Sequence, residues 1–254
     1  DMRKIKHIKN QKGIVVSTQN LFNSYNQLRI NADLIQKNVE VMEAAANAAQ
    51  TQASIGMATQ ADVLKAQKNL QSIKSTQTET LSSLETLRQN LCMMTGWSYN
   101  AQPEIKEVPQ ADLAAIDQIN LEGDRQKALE NNYDLQYSKR ALNNMQENST
   151  DKKNQERTVK NLEQSISASM TNLYNDIQQK KIAWQLAQAE LATEQQSMSA
   201  VETKRGLGMV SDLEYLQAQS SFLGKQIAER TANMALFQAV ETYNWAVNGY
   251  LSQK

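Results

Sequence analysis

Cysteine and histidine occur once each in the 254 residues, proline twice and glycine eight times, and aromatic residues make up 6%. Each scarcity excludes something. A single cysteine, Cys92, cannot form an internal disulfide, and its neighbours Leu91, Met93 and Met94 mark it as a small buried apolar residue. With His7 as the only histidine, His-rich metal sites are excluded. A His-containing catalytic triad would have to recruit that one residue from a basic end, and no enzyme is read here. Neither charge sign is in excess, Lys+Arg and Asp+Glu standing at 27 each. That argues against nucleic acid, whose binders need a basic surplus. No apolar run approaches the ~18 residues of a spanning helix, and no charged-then-apolar leader opens the chain. With so few Gly and Pro, long helices run with little interruption.

The polar content is unusual. Asn, Gln, Ser and Thr together supply roughly a third of the chain, which leaves little for a thick apolar core. The chain also repeats itself. Gly56-Met57-Ala58-Thr59-Gln60-Ala61-Asp62-Val63-Leu64-Lys65-Ala66-Gln67 returns 152 residues later as Gly208-Met209-Val210-Ser211-Asp212-Leu213-Glu214-Tyr215-Leu216-Gln217-Ala218-Gln219. At that offset Ser17, Leu21, Phe22, Asn23 and Ile30 also meet Ser169, Leu173, Tyr174, Asn175 and Ile182. The duplication therefore extends well beyond one turn, which implies paired copies of a long unit.

Each copy reads as helix, tip, antiparallel helix. Gly56 and Gly208 suit the left-handed residue that closes a helix. Thr59 and Ser211 suit N-caps, and Asp62 and Glu214 three residues on complete capping boxes. Helical stretches are expected over 14–55 and 61–95, then over 157–205 and 211–251, with arms of roughly 50 to 75 Å. Val63, Ala66, Leu70, Ile73, Gln77, Thr80, Leu84, Leu87 and Leu91 alternate spacings of three and four, a heptad seam. Ile166, Met170, Leu173, Ile177, Trp184, Ala187, Leu191, Met198 and Val201 form a comparable stripe, and a third begins with Leu213, Leu216, Ser220, Leu223 and Ile227. Opposite the first seam stand Gln71, Ser72, Ser75, Thr78, Ser82 and Ser83. Narrow seams with a wettable wall fit a hollow barrel better than a filled bundle.

Residues 97–122, with Pro103 and Pro109, interrupt the helices. They read as a side element with a short helix at 112–119. A connecting helix is expected over 123–147 and a polar loop over 148–153. The organisation is thus a first repeat over 1–96, an equatorial segment over 97–122, and a connecting helix with the second repeat over 123–254.

The tandem Gly-x-x-[Ser/Thr]-x-x-[Asp/Glu]-x-Leu-x-Ala-Gln tips between long helices resemble those of the TolC-like outer-membrane efflux family, over about Ile14 to Leu251. The resemblance implies an all-α fold of two tandem long antiparallel coiled-coil hairpins with a small equatorial segment, three copies closing into an α-helical barrel. It implies a passive polar duct in a tripartite efflux or secretion system, with a periplasmic-type adaptor (membrane fusion protein) and an inner-membrane pump as partners and no cofactor. Carried over to this chain, the docking tips are Ile55, Gly56, Met57 and Thr59 with Leu207, Gly208, Met209 and Ser211. The implied location is the cell envelope, an outer-membrane protein with a periplasmic barrel.

Two departures stand out. Gln52 and Lys204 occupy positions where the family usually carries an aromatic. The segments before residue 14 and near 148–156, where the family places its membrane strands, lack the ~9 to 11 residues of alternating apolar side chains that such strands need. A relative without membrane strands would be extracytoplasmic or wall-associated. The reading from a different class is a structural or adhesive coiled-coil surface protein that transports nothing. A pore-forming toxin fits less, since no hideable apolar segment is present. Finally, Lys4, Lys6 and Lys9 fall level with Lys153 and Arg157 at the repeat offset. This predicts a basic collar opposite the tips, suited to an anionic membrane or wall polymer.

Overall fold

The structure is a computed structural model that describes residues 2–147 and 149–251. Among the described residues there are seven helices: α1 Met2–Ser54, α2 Gln60–Met94, α3 Leu113–Asp117, α4 Leu121–Asn131, α5 Tyr133–Asn143, α6 Thr150–Gly206 and α7 Asp212–Val247. There are no strands among the described residues. The fold is all-α, with α1 and α2 as one long hairpin and α6 and α7 as the other.

Three boundaries differ from the sequence expectation, each for a local reason. α1 starts at Met2, not near residue 14, because Gly13 does not break it. The Tyr250 hydroxyl lies 3.1 Å from where a Gly13 Cβ would sit, so this glycine makes room for a neighbour inside a continuous helix. The connecting helix is two helices. Asn132, 2% exposed, takes an extended conformation and accepts from the Leu135 N–H at 2.9 Å, ending α4 and capping α5. The expected polar loop is short: Ser149 accepts from the Lys152 N–H at 3.1 Å, and α6 runs from Thr150, so Lys153 and Arg157 are helical. Asn148, also placed in that loop, lies outside the described residues.

The helices assemble into two compact units, each drawing on both repeats. One comprises Asp1–Asn20, Val108–Ile182 and Asn233–Lys254, the other Leu21–Glu107 and Ala183–Ala232. In the first, Leu135, Ile166, Met170, Leu236 and Tyr243 are nearly or fully buried. The end of α7 is closed there by Gly249 at φ 93°, whose carbonyl accepts from the Tyr133 N–H at 3.2 Å.

In the second unit the helices lie in the order α2, α1, α7, α6. Lys74 pairs with Glu43 at 2.7 Å, joining α2 to α1. Gln27 donates to Thr231 at 2.9 Å and Ser220 to Asn38 at 2.5 Å, joining α1 to α7. Trp184 donates to Glu229 at 2.6 Å and Lys225 pairs with Glu190 at 2.8 Å, joining α6 to α7. No hydrogen bond or ion pair joins α2 to α6 among the described residues. α1 and α7 are therefore inner helices and α2 and α6 are flanks.

Candidate functional site

Both tips are built from the same backbone bonds, 152 residues apart. At the first, the Gly56 N–H reaches the Ala53 carbonyl at 3.1 Å and the Met57 N–H reaches Gln52 at 2.8 Å. At the second, the Gly208 N–H reaches Arg205 at 2.9 Å and the Met209 N–H reaches Lys204 at 3.0 Å. These are Schellman closures, with Gly56 at φ 76° and Gly208 at φ 72°. Nothing lies within 4 Å of a Cβ placed at either glycine, so conformation and not space demands glycine here.

The next helix then starts on a capping box at each tip. The Thr59 N–H donates to Asp62 at 2.9 Å, and the Asp62 N–H donates back to the Thr59 hydroxyl at 3.2 Å. The Ser211 N–H donates to Glu214 at 2.8 Å, and the Glu214 N–H returns to Ser211 at 3.2 Å. These bonds hold both carboxyls below their ordinary pKa, through the Thr59 hydroxyl and then its N–H for Asp62, and through the Ser211 N–H and then its hydroxyl for Glu214. The closures leave four apolar side chains projecting. Ile55 is 65% exposed, Met57 76%, Leu207 71% and Met209 70%. Each tip is a rigid turn presenting two apolar side chains around a glycine.

The tips are not equivalent. At the second, the Arg205 guanidinium lies 3.8 Å over the Tyr215 ring and pairs with Asp212 at 3.0 Å, tying the end of α6 to the start of α7. The repeat places Ala53, Gln60 and Val63 at those positions of the first tip, and none of them can form such a tie. Sequence reading missed this staple, although the mismatch between aligned copies was its signal.

The flanks carry a second feature. On α2 the seam from Val63 to Leu91 is buried or half-buried at every third or fourth residue, while Gln71, Ser72, Ser75, Thr78, Ser82 and Ser83 are exposed. Leu64 and Leu81 on α2 are 57% and 53% exposed, and Leu186 on α6 is 60% exposed. Each flank thus keeps apolar residues uncovered.

The segment after α2 is fastened by side chains. Arg88, nine-tenths buried, donates to the Ala101 and Tyr99 carbonyls and pairs with Glu85, whose carboxyl is pulled down to about 2 by the Arg88 and then the Gln89 hydrogen bonds. Cys92 is buried against this guanidinium at 3.8 Å, in keeping with a structural thiol. Asn233 accepts from the Ala111 N–H at 2.9 Å and donates to the Pro109 carbonyl at 3.2 Å. Asp112 caps the short helix α3, where one was expected.

Lys4 and Lys6 near the start of α1, and Lys153 and Arg157 near the start of α6, are exposed, but Lys9 pairs with Asp134 at 2.6 Å. Its charge is used in fastening α1 to α5. No cluster of three or more metal-ligating side chains, and no helix long and apolar enough to cross a membrane, occurs among the described residues.

No protein-family model and no curated protein sequence matches the chain. Solved structures do. CusC, described in crystal structures reviewing conformational changes that accompany folding and transmembrane channel formation, superposes with a TM-score of 0.66 at 14% identity, covering 93% of this chain and 77% of its own. The outer membrane protein VceC of Vibrio cholerae gives 0.55 at 12%, covering 98% and 73%. The chain has the fold of the TolC-like outer-membrane channels. The Campylobacter jejuni CmeC outer membrane channel, at 0.55 and 11%, shares it over 98% of this chain and 65% of its own. The TolC-like fold accounts for the tandem long hairpins.

Proposed function

We propose that the chain is the conduit component of a tripartite envelope-spanning exporter, three copies closing into a hollow α-helical barrel with a passive polar duct. The observation that carries this reading is the one-sided burial of the flanks. Within the second unit α2 and α6 each pack on one neighbour and leave Leu64, Leu81 and Leu186 exposed, while the wall of α2 beside its leucines is Ser, Thr and Gln. An apolar flank of one copy against the other flank of the next would cover both and leave wettable faces for a lumen.

The tips fit an adaptor hairpin, reached through Ile55, Met57, Leu207 and Met209 around Gly56 and Gly208, with Thr59 and Ser211 shaping the turn. An inner-membrane pump would drive transport, and the cell envelope would be the site of action, with the chain doing no chemistry itself. Mass in solution followed by low-resolution imaging tests the reading. A hollow trimer supports it. A monomeric filled rod sinks it in favour of a structural or adhesive coiled coil.

A further inference from the structure

The first third of α1 is a basic face held outward by contacts on its other side. After Asp1 the next acid in the sequence is Asp33, and six Lys or Arg lie between them, in a chain balanced at 27 to 27. Ile5, 6% exposed, turns inward. Lys9 is fixed to Asp134 at 2.6 Å, and Lys12 lies 5.5 Å from the Trp245 ring centre. Two of the bases thus hold the helix down. The side chains of Arg3, Lys4, Lys6 and His7 are exposed. Two to three turns further on, Ile14 is exposed on the side of the helix away from Ile5 and Val15 about a quarter-turn from Ile5, at 59% and 46%. Across α5, which donates from Lys139 to Glu163 of α6 and accepts at Ser138 from Gln155, α6 adds exposed Lys153, Arg157 and Lys160 on one face, offset by Asp151 and Glu156.

From this placement we infer that the outward face of α1 over residues 3–15 is a docking surface for an anionic phospholipid bilayer. The bases supply attraction to headgroups, which falls off within a Debye length. The aliphatic pair supplies short apolar contact at the headgroup boundary, which a soluble polyanion would not use. The surface is independent of how many copies assemble, so vesicle binding by a monomer would leave it standing while sinking the conduit.

The test is flotation of the whole chain with phosphatidylglycerol–phosphatidylcholine vesicles and with phosphatidylcholine vesicles, at low and high salt. Binding is expected to the anionic vesicles only, and high salt abolishes it. Changing Arg3→Gln, Lys4→Gln and Lys6→Gln together weakens binding on the order of a hundredfold, at about 1 kcal/mol per base. Lys65→Gln with Lys68→Gln and Lys106→Gln removes equal charge elsewhere and changes binding little. Ile14→Ser with Val15→Ser weakens it several-fold without altering the salt dependence. Equal binding to both vesicles, insensitivity to salt, or an equal loss from the control triple overturns the inference. Tighter binding to soluble wall polyanion than to vesicles, lost in Arg3→Gln/Lys4→Gln/Lys6→Gln, overturns it in favour of the polymer.

Discussion

Glycine at positive φ serves two purposes in this chain, and substitution separates them. At Gly208 the backbone alone is constrained, with open space around the missing Cβ. Gly208→Val should cost about 1–2 kcal/mol of strain and lower the melting temperature modestly. At Gly249 a Cβ would also lie 2.1 Å from the Asn131 carbonyl oxygen, so Gly249→Val should be far more damaging. Thermal denaturation giving equal losses at both sites would refute the packing account. Titrating residues make a second set. Glu85, Asp62 and Glu214 have folded pKa values below their unfolded ones, so the stability they confer is present above the carboxylate range and is lost as pH falls through it. For Glu85 the loss extends from 4.5 down to about 2. Tyr243 is shifted the other way, raised by burial and then by the Asp124 charge at 3.1 Å, so its contribution is complete below 10.0 and is lost as pH rises above that value. Melting temperature against pH should fall at both ends, with Glu85→Gln flattening the acid limb and Tyr243→Phe the alkaline one.

At the scale of an element, α2 is the simplest case, because one seam does nearly all its packing. Leu84 and Leu87 lie in that seam and Leu81 lies outside it. Leu84→Asn with Leu87→Asn removes up to ~1.5–3 kcal/mol of burial per site and adds polar groups without partners. Amide exchange along α2 should accelerate, whereas Leu81→Asn should leave exchange unchanged. The seam was legible from spacing alone, since burial follows the threes and fours from Val63 to Leu91 without a slip. The tip caps were legible because hydroxyl, two spacers and a carboxylate is a local code that needs no tertiary information. What escaped was set by distant neighbours. The start of α1 ahead of residue 14 is one case, with Tyr250 filling the space beside Gly13 inside the continuous helix. The break at Asn132 depends on Gly249 and Asn131 meeting across the unit, although the Asn131-Asn132 pair ahead of Asp134 was a cap signal in plain view. The Arg205 staple needed the hairpin closed before its partner could be named.

For the whole molecule, the order α2, α1, α7, α6 in one unit makes its two flanks chemically different, one carrying Leu64 and Leu81 and the other Leu186. Contact between copies through unlike flanks is head-to-tail, so it must close into a ring or run on as a fibre. Leu64→Asn with Leu81→Asn should preserve the fold, since both side chains are already exposed, and should lower the mass of the assembly seen in sedimentation. Leu186→Asn should do the same from the other side. Each variant keeps one competent flank, which gives the inequality of α2 and α6 a stoichiometric meaning. If copies associate flank to flank as proposed, the α2 variant and the α6 variant should behave as complementary chain stoppers: mixed together they would join once, through the single intact flank of each, and then have nothing left to offer. Their mixture should stop at a heterotypic pair that neither forms alone, and a variant added in trace to the parent chain should terminate rings in proportion to its amount.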